Sequence, residues 1–179
     1  AHPVQLAVRE AFEDLTGMAS PGYAIDGCSA PNFATTLHGM ARAMAKMAAG
    51  TTGSDTRNLA AARLVAAMAR HPELVAGEGR ACTEMMRAMC GRASIKTGAE
   101  AVFVAILPGP GFGIALKVED GGTRAAEAAV AALLVRLGVA NAADPMIAKR
   151  LNPTLRNWRG IETGFIRVTD NIWQDGRAI

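Results

Sequence analysis

Cysteine is scarce: Cys28, Cys82 and Cys90 are the only three in 179 residues. An odd number spread along the chain excludes the even, spaced framework of a disulfide-stapled secreted domain, and a reducing, cytoplasmic setting is the expectation. Long apolar runs are missing as well. The most apolar stretch, Ala128 to Val135, is bounded by Glu127 and Arg136, far short of the roughly 18 uninterrupted apolar residues of a membrane helix, so no bilayer span is expected. The chain opens Ala1-His2-Pro3 without a positive and then apolar leader, an opening that fits a processed, trimmed or split chain. Basic charge lacks runs. The 15 Arg and four Lys are dispersed among 16 acidic residues, a formal +3 with no phosphate-binding stripe, which argues against a nucleic-acid partner. Repeats, low-complexity tracts and linkers of more than a few residues are absent too. What is there is 50% hydrophobic and 20% charged. A chain of this length buries about two thirds of its unfolded surface, and the expectation is one soluble domain over residues 1–179.

From Pro3 to Thr16, the apolar Val4, Val8, Ala11, Phe12 and Leu15 recur at helical spacing with Arg9, Glu10, Glu13 and Asp14 turned away. Pro3 suits the first turn and Gly17 the exit. Ser20-Pro21-Gly22 breaks the chain before Tyr23-Ala24-Ile25, a short extended run that delivers the turn-rich Asp26 to Phe33. Two Ala- and Met-rich packing helices follow, about Thr36 to Ala49 and Thr56 to Arg70, with Ser54 and Asp55 as N-cap candidates between them. His71 to Gly77 reads as an interruption, and a short helix runs from about Thr83 to Met89. From Ala93 the pattern turns extended: Ser94-Ile95-Lys96, Val102 to Leu107 and Ile114 to Val118, an antiparallel hairpin or meander joined by Pro108-Gly109-Pro110-Gly111. Thr123 to Leu137 is a helix apolar on nearly every face, which in water demands burial. A short helix over Pro145 to Leu151 and a strand over Ile161 to Val168 follow. Helices first, then strands around a buried helix, predict an α+β domain in which an antiparallel sheet packs with helices.

Lys96-Thr97-Gly98 is the sharpest local signal. A strand-end lysine followed by Thr and Gly is one of three signatures of serine acyl-transfer enzymes of the penicillin-binding and β-lactamase type. The strand presents an ammonium and a hydroxyl while Gly lets substrate approach the backbone. The same tripeptide also reads as a solvated strand-end lysine. Such a site needs an activated nucleophile, usually Ser-x-x-Lys, in which one helical turn joins hydroxyl and amine. None of Ser20, Ser29, Ser54 or Ser94 has a lysine three residues on. Cys28 shares its loop with Asp26 and Ser29; as a thiolate it could ligate a soft metal or attack an acyl group, and as a thiol it is a small buried apolar residue. Cys82 and Cys90 are about two helical turns apart, too far to chelate one ion, and no Cys-x-x-Cys or paired-His spacing exists. His2, His38 and His71 read as terminal, core or capping residues, and Met40, Met44 and Met47 as gap-filling core. Gly109-Pro110-Gly111-Phe112-Gly113 joins two strands and opens no helix, so it is not a nucleotide loop.

Several blocks in order resemble one family. They are Ile25-Asp26-Gly27-Cys28-Ser29-Ala30-Pro31-Asn32-Phe33, His71-Pro72-Glu73 with Val75-Ala76-Gly77, Lys96-Thr97-Gly98-Ala99-Glu100, and Gly113-Ile114-Ala115-Leu116-Lys117 with Asp120-Gly121. The family is asparaginase II, the thermolabile-type, β-lactamase-like class of L-asparaginases, and the resemblance covers its C-terminal half. It implies hydrolysis of L-asparagine to L-aspartate and ammonia by serine and lysine residues, with zinc close to the substrate. It also implies a fold resembling part of the serine β-lactamase and penicillin-binding fold. By that resemblance Cys28 matches a metal-ligand cysteine, Asp26 an acidic residue beside it on the substrate side, and Cys82 a cysteine near the pocket that serves substrate binding or structure alone. Lys96 matches the catalytic lysine of a second Ser-Lys pair, whose ammonium lowers the cost of a serine alkoxide or relays its proton. The family's Ser-x-x-Lys, its second serine and the Cys-x-x-Lys block with the other zinc ligands find no match here. The expectation is therefore a catalytically incomplete half, inactive alone, that works with a complementing N-terminal chain or as a homo-oligomer. The alternative is a non-catalytic amino-acid-binding or scaffold domain that kept the fold and lost the chemistry.

Overall fold

The computed structural model describes residues 2–174. In chain order its elements begin α1 (Pro3–Thr16), β1 (Tyr23–Ile25), β2 (Pro31–Phe33), α2 (Leu37–Gly50) and α3 (Thr56–Arg70). Next come α4 (Pro72–Ala76), α5 (Ala81–Met89), β3 (Ser94–Thr97), β4 (Val102–Leu107) and β5 (Phe112–Lys117). Last are α6 (Thr123–Arg136), α7 (Pro145–Leu151), β6 (Thr154–Arg156), β7 (Glu162–Phe165) and α8 (Asn171–Gln174). The class is α+β, with strands ordered β1-β2, β3-β4-β5 and β6-β7 in separate sheets among the described residues. The chain divides into two compact units. One runs to Val65 and adds Val104–Ala115; the other comprises Ala66–Phe103 and the chain from Leu116 onward.

In the first unit, Pro3 sits at the start of α1, where its missing amide costs nothing, and His2 Nδ1 accepts from the Val4 amide at 3.3 Å. The helix stops at Gly17, whose φ of +72° is the left-handed cap, its amide donating to the Glu13 carbonyl. Buried Ser20 then ties the exit down. Its amide donates to Glu13 Oε1 at 2.9 Å and its hydroxyl reaches the Gly22 and Ala34 carbonyls. Those two carbonyls flank the antiparallel β1–β2 hairpin, with Tyr23 opposite Phe33 and Ile25 opposite Pro31. β2 lies inside the stretch expected to be all turn, because three residues starting with Pro carry no alternation to read. Phe33 meets Phe12 of α1 at 5.8 Å between ring centroids and Tyr23 at 6.0 Å. Asp55 opens α3 by accepting the Arg57 and Asn58 amides, as its N-cap chemistry predicts. Ala48, Val65 and Ile106 form a small core with Met44 and Met47 packed on it, so the methionines do fill gaps. A Cβ on Gly113 would stand 2.2 Å from the Ala41 carbonyl and the Ala45 amide of α2, so only glycine allows that approach.

The second unit is built around α5. Met85, Met86 and Met89 are fully buried on it, with Ile95, Phe103, Val130, Leu134 and Ile147 among the other large buried side chains. The stretch expected as an interruption, His71 to Gly77, holds the helical turn α4: Pro72 starts it and Gly77, at φ +94°, ends it, within too few residues for a period to show. Helix α6 buries Ala126, Ala128, Val130, Ala131, Ala132 and Leu134, as its uniform apolarity demands. Arg150 of α7 bridges Glu84 of α5 at 2.7 Å and Glu127 of α6 at 2.9 Å, and Lys149 adds a second bond to Glu84 at 2.8 Å. The expected strand near the end is β7, and it pairs antiparallel with β6, which the sequence pattern misses. No helix among the described residues is long and apolar enough to cross a membrane.

Candidate active site

Strand β3 carries the tripeptide singled out in the sequence. Ser94 and Ile95 are buried, Lys96 is exposed and Thr97 is half-buried, so the lysine stands at the open end of an edge strand. Its Nζ donates to the Thr97 carbonyl at 2.6 Å. The chain then turns sharply: the Val102 amide donates to the Ala99 carbonyl at 3.2 Å across Glu100 and Ala101, whose φ values are +53° and +56°. Two consecutive left-handed residues are the signature of a two-residue hairpin turn that Asn or Gly usually fills. Here Glu and Ala fill it, at about 1–2 kcal/mol each, and that strain begins one residue past Lys96-Thr97-Gly98.

Cys82 lies in the first turn of α5 with 1% of its surface exposed. Its Sγ accepts the Thr97 amide at 3.3 Å. Burial pushes the Cys82 thiol above its ordinary range, opposed by the Thr97 N–H bond and then by the positive charge of Lys96. Beside Cys82, Thr83 is fully buried and its hydroxyl meets the Gly77 carbonyl at 2.6 Å and the Pro72 carbonyl at 3.1 Å. In the sequence Thr83 stands only as the start of a short helix; the signal for its anchoring role is a hydroxyl set among Cys82, Met85, Met86 and Met89.

Asp26 and Cys28 lie in the first unit, at the tip of the β1–β2 hairpin, and both are exposed. The tip is closed by the Asp26 amide donating to the Ala30 carbonyl and the Ser29 amide to the Asp26 carbonyl, with Ser29 at φ +69°. This turn brings the two expected site residues together: Cys28 Sγ is 3.6 Å from Asp26 Oδ2, while Oδ1 accepts the Gly27 amide at 2.8 Å. A thiol and a carboxylate make two donors, whereas zinc takes three or four from its protein. No group of three or more His, Cys, Asp or Glu side chains poised for a metal occurs among the described residues. The donors among the described residues therefore do not by themselves fit a zinc site.

Lys96 and Cys82 are thus brought together by α5 and β3 in the second unit, and Asp26 and Cys28 by one hairpin tip in the first. The family model described as L-asparaginase II matches residues 1–168, which includes all four. A search among curated proteins finds no match.

Proposed function

Since the chain belongs to the L-asparaginase II family, we propose that it supplies the later part of a site that hydrolyses L-asparagine to L-aspartate and ammonia. The observation that carries this reading is the exposed Lys96 at the end of edge strand β3, followed by Thr97 and Gly98, inside the matched region. In the proposed reaction a serine hydroxyl from outside the described residues attacks the side-chain amide carbon. Lys96 stabilises the alkoxide or passes its proton to the departing ammonia, and water then cleaves the acyl ester to release aspartate. Cys28 and Asp26 are the donors this chain would offer to zinc, with the remaining ligands supplied from elsewhere. Apolar side chains beside that hairpin tip are uncovered, Tyr23 being 64% and Ile25 65% exposed. Such exposure supports a further stretch of polypeptide, from a complementing chain or a second copy, packing there.

The test is reconstitution. The chain is mixed with a segment bearing the family's Ser-x-x-Lys and Cys-x-x-Lys blocks, and ammonia release from L-asparagine is followed with and without zinc. Turnover that disappears with Lys96→Ala is expected. Calorimetric binding of asparagine without turnover in any metal would replace this reading with the non-catalytic one.

A further inference from the structure

We infer that Cys82 is a positioning residue: its sulfur holds the Lys96–Thr97 peptide unit, and so fixes the direction in which Lys96 leaves strand β3. A peptide unit is planar and rigid, so the Thr97 N–H and the Lys96 carbonyl move as one body with the Lys96 Cα. Anchoring that amide to Cys82 Sγ at 3.3 Å therefore constrains the backbone that aims the lysine side chain. Edge strand β3 has a sheet neighbour on one side only, so an amide on its open side needs an acceptor from outside the sheet, and Cys82 Sγ is that acceptor for Thr97.

The anchor is itself tied down. Within two turns of α5, Thr83 ties the helix to the Pro72 and Gly77 carbonyls, Glu84 to Lys149 and Arg150 of α7, and Met85, Met86 and Met89 are fully buried. A residue with 1% of its surface exposed offers a substrate almost no area to touch, which separates positioning from substrate contact. Alanine at this place would leave the Thr97 amide without an acceptor, whereas serine keeps one at nearly the same point.

Two measurements test the inference, and its kinetic arm alone rests on the amidohydrolase reading. The first is amide hydrogen exchange of Thr97 by NMR on the full 179-residue chain. Protection is expected in the unmodified chain, with exchange roughly tenfold faster in Cys82→Ala and within about threefold of the original in Cys82→Ser. An unprotected Thr97 in the unmodified chain overturns the inference whatever the variants do. The second is steady-state kinetics of the reconstituted enzyme. Cys82→Ala should lower kcat roughly tenfold with KM held within about twofold, and Cys82→Ser should recover most of the loss. A rise in KM at unchanged kcat would make Cys82 a substrate contact and overturn positioning. Equal loss in both variants would overturn the role of the acceptor. If reconstitution gives no turnover at all, the exchange experiment still decides the point.

Discussion

Lys96 and Cys82 are the residues on which chemistry and structure meet. Lys96→Ala should reduce ammonia release by the reconstituted enzyme at least roughly a thousandfold, measured under single-turnover conditions so that assembly and chemistry separate. The thiol offers an independent readout. In a chain carrying Cys28→Ser and Cys90→Ser, ultraviolet thiolate absorbance follows Cys82 alone. A positive charge nearby favours the thiolate, so replacing Lys96 with Met should move the Cys82 titration to still higher pH, away from the range that burial has already raised. A downward or absent movement would show that the lysine charge does not reach the sulfur. Lys96 was visible in the sequence as part of a motif block, and Cys82 only as an isolated cysteine that the family resemblance matches. Nothing in their spacing of fourteen positions revealed that one peptide bond links them, because neither periodicity nor turn chemistry reports which helix lies beneath which strand.

Among the elements, boundaries were legible wherever a period ran long enough and a cap closed it. Helices α1, α3 and α7 and strand β4 occupy Pro3–Thr16, Thr56–Arg70, Pro145–Leu151 and Val102–Leu107, the spans that capping and alternation predict. Strands β2 and β6 and helices α4 and α8 escaped because three to five residues hold at most a period and a half. Strand β5 starts at Phe112, two residues before the expected Ile114, since the turn ends as soon as Gly111 has taken its left-handed φ of +73°. The Glu100–Ala101 turn gives a sharp test of backbone strain. Glu100→Gly should raise stability by about 1 kcal/mol in urea unfolding, because glycine takes the left-handed φ of +53° without strain. On α3, Asp55→Ala should cost about 1 kcal/mol by leaving two amides uncapped.

For the molecule as a whole, acid should be the weak side. Hydrogen bonds from Lys149 first and then Arg150 hold the Glu84 carboxyl below its ordinary 4.5, and Arg87 does the same for Glu78 and Arg9 for Glu13. A depressed native value contributes stability that is present above 4.5 and lost as pH falls through the lower value, so unfolding midpoints should drop over the acid interval that starts near 4.5 and runs downward. Glu84→Gln should be less stable at neutral pH yet show a smaller drop over that interval, measured by urea titration at each pH. A parallel loss in both chains would assign the acid sensitivity to other groups. The sequence by itself determined the α+β class, the helix caps and an amine at the end of a strand, because each depends on residues within one or two turns of one another. Only the tertiary structure decided that α5 is the centre of the second unit, that Cys82 is buried beneath Thr97, and that Arg150 meets Glu84. Those contacts span 15 and 66 residues; they follow from which apolar faces can be buried together, a property no local window contains.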